Sequence, residues 1–576
     1  MKKVISLALL LIFSSFSRAQ KFDTPFENSG GKQTTTYFSC IDYYKRLASA
    51  YPSIRMFSFD TTDQGYVLNL IVVSSAEQFK PIEWHKQNKV TILINNGIHP
   101  GEPDGIDASM MLVRDIATGK IKLPKNVVLA IIPVYNIGGS LNRNGFSRVN
   151  QNGPERYGFR GNAQNLDLNR DFIKSDSKNA KAFAKIFHWV KPDIFMDNHV
   201  SDGADYQYTM TLLTTQHNKL GGAVGNFLHD VFEPSLYKGM NEKNRTMTPY
   251  VNFEEGNADE GWDGFYDAPR YSTGYAALFE TIAFMPETHM LKPFADRVKS
   301  TYALMQTMIE QASEYAKEII AARKASLDSV KHQQQFALGW KVDSSQYEMI
   351  NFKGYEADTK TSEVTGLPRL FYDHSKPFEK QVKFYSAFVP TVSVTKPEAY
   401  IIPQGWHEVI DLLRLNDVSM QRIAKDTTIE VEVYHIDDYK SYPRAYEKHH
   451  FNYDIKLSSY LSPINFLKGD YIIYTGQPSD RYIVETLEPL GDDSFFKWNF
   501  FDAVLQQKEG YSDYRWEDVA AEFLQQHPEV KQQLEEKKKT DSTFAASAHA
   551  QLDFIYKHSP YYEPAHLRYP VYRVNE

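Results

Sequence analysis

Short apolar runs alternate with amphipathic stretches between about Lys89 and Met285, and this pattern restricts the fold more than any other feature of the sequence. Residues 90–94, 127–134, 193–196, 209–213 and 282–285 are each of strand length and rich in apolar side chains. Between them, residues 104–116 and 178–190 place apolar side chains at three- and four-residue steps, as helices covering a sheet do. Such alternation predicts an α/β domain with a mixed, mostly parallel sheet flanked by helices. A long Ala- and Lys-rich stretch over 293–330 predicts a helix that closes this domain. Residues 20–330 therefore read as one unit and 331–576 as a C-terminal accessory region, mixed or mainly β with some helix.

Within 335–497, strand-like runs such as 428–434 and 471–474 are broken by Pro and Gly. The polar, charged stretch over 516–539 reads as a helix with a solvated face. At the start, Lys2 and Lys3 precede an apolar run over 4–13 and small residues ending at Ala19, the layout of a secretory signal peptide. That run is too short to span a bilayer, and no later stretch approaches the roughly 20 apolar residues a spanning helix needs. The expectation is an exported, periplasmic or secreted protein, with no membrane span once the signal is removed. Cys40 is the only cysteine, so no internal disulfide staples the exported chain. A formal net charge of -8 argues against a surface that tracks nucleic-acid phosphates.

Chemistry concentrates where strands end. The run at 90–94 leads into Asn95-Asn96-Gly97-Ile98-His99-Pro100-Gly101-Glu102, and a helix follows at once. In open α/β sheets ligands gather beyond the strand ends, and an imidazole and a carboxylate separated by two residues on a Gly-containing turn suit Zn²⁺. His199 ends a second apolar run, within Asp193-Ile194-Phe195-Met196-Asp197-Asn198-His199, and is the candidate third ligand. His99, Glu102 and His199 together would hold one zinc ion.

The order of these segments resembles the zinc metallocarboxypeptidase family, whose ligands are His-x-x-Glu plus a distant His. Asp167-Leu168-Asn169-Arg170 is similar to the family signature whose Asn and Arg hold the substrate's terminal carboxylate. The planar fork of an arginine suits that task. The likeness also implies that Asp167 sits behind His99 as a hydrogen-bond acceptor. Tyr157-Gly158-Phe159-Arg160 resembles the segment that supplies the oxyanion-stabilising arginine, here Arg160, with Arg143, Arg148 and Arg156 near enough to compete. Ile282 to Glu287 resembles the apolar strand closing on the catalytic glutamate, which favours Glu287 over Glu280. Tyr266, Tyr271 and Tyr275 are all candidates for a tyrosine that closes over substrate. The resemblance spans roughly residues 34–324 and leaves the C-terminal half unexplained.

What it implies is hydrolysis of the C-terminal amide bond of peptides, with Glu287 moving the proton. A deacylase of N-acyl amino acids or an amidase of cell-wall peptides would use the same segments. A non-catalytic binding protein on an inherited scaffold is the other alternative, and the presence of every required group weighs against it. No Gly-x-Ser-x-Gly elbow and no His-Glu-x-x-His helix occurs in the sequence, which removes the corresponding hydrolase classes.

Overall fold

The computed structural model describes residues 22–253 and 258–575, so the signal segment expected at 1–19 lies outside the described residues. Nine strands form the central sheet: β1 (Ile54–Thr61), β2 (Val67–Val73), β3 (Val90–Asn95), β4 (Val127–Ile132), β5 (Ile194–Asp197), β6 (His199–Ser201), β7 (Met210–Thr214), β8 (Thr248–Pro249) and β9 (Ile282–His289). Their order is β1-β2-β4-β3-β5-β9-β7-β8, with β6 paired to the far end of β9. The centre, β4-β3-β5-β9, is parallel. The flanking pairs β1-β2, β2-β4 and β7-β9 are antiparallel, so the sheet is mixed as expected.

β3 and β4 are buried along their whole length, because successive side chains enter two different cores. Ile92, Ile94 and Leu129 face a layer that includes the helices Asp104–Ala117 and Phe294–Glu314. Leu93, Val128, Ala130 and Ile132 face Phe183, Ile186 and Phe187 of the helix Lys178–Val190. The second core does not end there. It continues through Tyr400, Leu413, Ile473 and Tyr482 of the C-terminal half, so the two halves of the chain share apolar packing.

That C-terminal half contains three further sheets. The strands Gln335–Val342 and Phe388–Thr395 pair with each other, and Glu348–Thr361 and Pro368–Tyr385 form a hairpin joined by Trp262–Asp263. A six-stranded sheet contains the long hairpin Thr427–Ser441 and Asn452–Phe466. The strand Tyr572–Val574 lies inside that sheet, between Ala399–Ile402 and Thr427–Ser441.

Three expected elements differ. The stretch read as one helix over 293–330 is two, Phe294–Glu314 and Ala316–His332, because Tyr315 leaves the helical region at φ -98° and ψ 23°. The helix read over 516–539 breaks at His527, and Pro528 opens a second helix that ends at Thr540. Only one side of that pair is solvated. Trp516, Phe523, Val530 and Leu534 pack with Phe544, Leu552, Ile555 and Tyr556 into a small helical core of their own. Finally, β9 runs to His289, so Glu287 stands within the strand and not beyond its end.

Candidate active site

The turn after β3 and the start of β6 bring three side chains together. His99, Glu102 and His199 are buried, and one ligand atom from each lies within 4.8 Å of the others. His99 Nδ1 is 3.2 Å from Glu102 Oε1, and His199 Nδ1 is 3.3 Å from Glu102 Oε2. The opposite nitrogens are already engaged. His99 Nε2 lies 2.8 Å from Asp167 Oδ1, and His199 Nε2 lies 3.0 Å from Asp197 Oδ2. A carboxylate that accepts the Nε2 proton leaves the Nδ1 lone pair facing inward, which is how a histidine is prepared to ligate.

These residues fit zinc on grounds internal to the structure. His99 Nδ1 is buried and has no hydrogen-bond partner. Two imidazoles and a carboxylate match the donor set of a zinc site that keeps a position open for reactants. The carboxylate itself is fixed at both oxygens, because Arg148 Nη1 donates to Oε1 at 2.9 Å and the Val200 N–H donates to Oε2 at 2.9 Å. Burial pushes the Glu102 carboxyl up, but His99 and Arg148 outweigh it and hold the group well below the usual range.

Glu287 is in parallel register with His199 on adjoining strands. Its side chain feels His199, Glu102, Arg160 and Arg148, and burial drives its pKa up to about 8 in the absence of a metal. Glu280 is elsewhere, at a left-handed φ of 55° before β9, and pairs with Arg481 at 3.2 Å. Among the competing arginines, Arg148 is committed to Glu102 and to Gln151 Oε1. Arg143 donates to the backbone carbonyls of Thr34, Thr35 and Arg156. Arg160 reaches the cluster with a half-exposed side chain: it donates from Nε to Asp167 Oδ2 at 3.0 Å, and its Nη1 stands 3.8 Å from Glu102 Oε1. Asp167 is held well below the usual carboxylate range: burial opposes ionisation, but His99, Arg160 and Arg170 prevail.

Asn169 and Arg170 form a short 3-10 turn capped by Asp167, whose Oδ1 accepts the Asn169 N–H at 2.9 Å. Asn169 Oδ1 is buried without a partner. The Arg170 guanidinium lies 4.6 Å above the Tyr271 ring. This separates the three tyrosine candidates. Tyr275 is fully buried and donates to Asn416 Oδ1, Tyr266 donates to Asp492 Oδ2, and Tyr271 alone stands against Arg170.

A segment that sequence patterning did not connect with the site also arrives here. The loop 442–451 closes the hairpin Thr427–Ser441 and Asn452–Phe466, and Tyr446 and His449 bridge across its tip. Arg170 Nε donates to Tyr446 Oη at 3.0 Å, and the Asp167 N–H donates to Glu447 Oε2 at 2.8 Å. Glu447 and Lys448 both take positive φ, 47° and 79°. A tight turn of this kind favours Asn-Gly, and non-glycine residues held there cost about 1–2 kcal/mol each. Asp197 likewise received no role from the motifs, and Arg148, a competitor for the oxyanion role, instead holds Glu102. Asp197 stands two residues before His199, a spacing that puts both on one face of an extended segment.

Residues 40–199 match the family model described as zinc carboxypeptidase. Together with the buried donor cluster, this defines a zinc-dependent hydrolase. The matched stretch is similar to zinc carboxypeptidases over 160 of the chain's 576 residues; it ends at His199 and leaves Glu287 outside. Among curated proteins the chain is similar to "Carboxypeptidase 2" of Trichophyton rubrum, 18% identical over 432 residues, 72% of this chain and 74% of that one. Carboxypeptidase 2 of Trichophyton equinum is 18% identical over 436 residues, with the same coverage. Solved structures that align include a metallo-carboxypeptidase from Burkholderia cenocepacia (15% identity, TM-score 0.36, 48% of this chain and 69% of that one). Carboxypeptidase A from Helicoverpa armigera aligns with 14% identity and a TM-score of 0.34, covering 51% of this chain and 73% of that one.

Proposed function

We propose that this chain is an exported carboxypeptidase that cleaves the amide bond next to a free terminal carboxylate. The observation that carries the reading is the inward-facing Nδ1 pair of His99 and His199 around Glu102, with Glu287 in register beside them. His99, Glu102 and His199 would hold the zinc ion, which when bound supplies Lewis acidity to water and to the scissile carbonyl. Glu287 accepts the proton of the attacking water and returns it to the leaving amine, a role that suits a buried carboxylate with a raised proton affinity. Arg160, half exposed and next to the cluster, donates to the oxyanion as it develops. Asn169 and Arg170 receive the terminal carboxylate and fix which bond reaches Glu287. Asp167 and Asp197 keep the two imidazoles in one tautomer. Among the described residues no helix is long and apolar enough to cross a membrane, and the cationic, then apolar start of the chain supports export.

The test is hydrolysis of a peptide library of varied C-termini by the zinc-loaded protein and by Glu287→Gln, following release of single residues. The expected result is zinc-dependent release, reduced by about 10²–10⁴-fold in kcat in Glu287→Gln. Inert peptides alongside cleaved N-acyl amino acids or cell-wall peptides would reassign the substrate class.

A further inference from the structure

The geometry points to the C-terminal half as a supplier of the substrate-carboxylate pocket: Tyr446, on the tip of the 442–451 loop, is a positioning residue that holds Arg170 ready for the incoming carboxylate. This inference rests on the carboxylate-binding role proposed above for Arg170 and adds to it a group from outside the family-matched region.

Arg170 is held on three sides. Its Nη1 donates to its neighbour's carbonyl, Asn169 O, at 2.9 Å, its plane lies over Tyr271, and its Nε donates to Tyr446 Oη at 3.0 Å. The first contact is local and the second is non-directional around the ring normal. The in-plane rotation of the fork, and therefore the direction in which the Nη2 edge points, is set by two directional bonds, and Tyr446 supplies the one that comes from outside the 167–170 segment, where Asp167 Oδ2 also stands 4.0 Å from Nη1. Pre-orienting that edge removes ordering that a substrate would otherwise have to impose.

The tip of the loop is itself held where a relaxed turn would not stay. Glu447 and Lys448 keep positive φ while Glu447 Oε2 accepts the backbone N–H of Asp167, the residue that also receives His99. His449 Nε2 adds a contact to Asp176 Oδ2 at 2.7 Å, and the Tyr446 ring stacks on Trp498 with centroids 6.1 Å apart. Arg270 lies over both rings, within 6.0 Å of the Tyr446 centroid. Three residues of one short loop thus reach the segment 167–176, 276 positions away from Tyr446 in the case of Arg170. Backbone strain that persists because several contacts enforce it marks a site where placement matters.

The experiment is steady-state kinetics of the full-length, zinc-loaded protein on a peptide with a free terminal carboxylate. It compares wild type, Tyr446→Phe, Arg170→Ala and the double variant. Tyr446→Phe keeps the ring on Trp498, so its melting temperature should stay within a few degrees of wild type. KM should rise about tenfold with kcat within twofold, as loss of a hydrogen bond to a charged group predicts. The double variant should match Arg170→Ala alone, because Tyr446 acts through Arg170. A KM within twofold of wild type in Tyr446→Phe, while Arg170→Ala raises it, would overturn the proposal. Effects that simply multiply in the double variant would overturn it too. If Arg170→Ala itself leaves KM unchanged, the carboxylate-binding role fails, and this inference falls with it.

Discussion

Each histidine of the metal cluster has one nitrogen committed to an aspartate, and the two aspartates are themselves fixed: Asp197 Oδ1 accepts Asn95 Nδ2 at 2.9 Å, and Asp167 pairs with Arg160 at 2.8 Å. Ring orientation is therefore set before any metal arrives. Asp197→Asn should lower zinc affinity about 10–100-fold, measured by competition with a chelator, while His199→Ala should abolish stoichiometric binding. The three donors that the structure brings together were legible in the sequence, because His99 and Glu102 share one turn and His199 directly follows a buried strand. Asp197 was in plain view on the same segment, but a second-layer acceptor has no residue pattern of its own. Tyr446 could not be found at all, since nothing local ties it to Arg170. A different residue contributes to the pH dependence of stability between acid and neutral pH. Glu233 is partly buried, accepts a hydrogen bond from Thr214 Oγ1 at 2.7 Å, and its desolvation raises its pKa to about 7. Its folded pKa lies above the unfolded value near 4.5. The folded state thus holds the extra proton between these values, and stability falls as pH rises from about 4.5 through 7. Glu233→Gln should leave stability unchanged at pH 4 and raise it by up to about 3 kcal/mol at pH 8, read from urea unfolding.

At the scale of elements, the site depends on how closely the helix Asp104–Ala117 approaches the strand ends. A Cβ on Gly105 would stand 2.4 Å from Asn96 Oδ1 and 2.6 Å from Asn198 Cβ, the residues beside the two ligand-bearing turns. Gly105→Ala should therefore push the helix away from both turns, lowering the melting temperature and weakening zinc binding together. A variant that lost stability alone would show that the turns are anchored independently of the helix. The strands of the centre were readable because β3, β4 and β5 are apolar on both faces, as a sheet covered on both sides requires. Helix Lys178–Val190 was readable from its apolar spacing, and in the structure Ser177 caps it by accepting the Ala180 N–H. The break at Tyr315 was not, because neither glycine nor proline marks it. At His527 a proline did mark the break, and the charge pattern running through it concealed the signal.

At the scale of the whole molecule the two halves share one core, since the apolar cluster beneath the sheet includes both Phe183 and Tyr482. Removing residues 569–576 should cost stability far from the C-terminus. Tyr569, Val571 and Tyr572 are buried, Tyr569 donates to Leu487 O, and Arg573 pairs with Glu432 at 3.1 Å. Loss of these three side chains alone amounts to about 5 kcal/mol of burial. The truncated protein should melt at a lower temperature and show a raised KM, because Thr427–Ser441, the strand that leads into the Tyr446 loop, loses its neighbour. The place of Tyr572–Val574 inside the six-stranded sheet also sets a timetable for biogenesis. The strands on either side, Ala399–Ile402 and Thr427–Ser441, emerge from the ribosome long before the one that joins them. The sheet, and with it the loop that steadies Arg170, is completed only once Tyr572–Val574 has joined it. A chain stalled before Tyr572–Val574 should hydrolyse peptides poorly even though every residue of the proposed site has already been made.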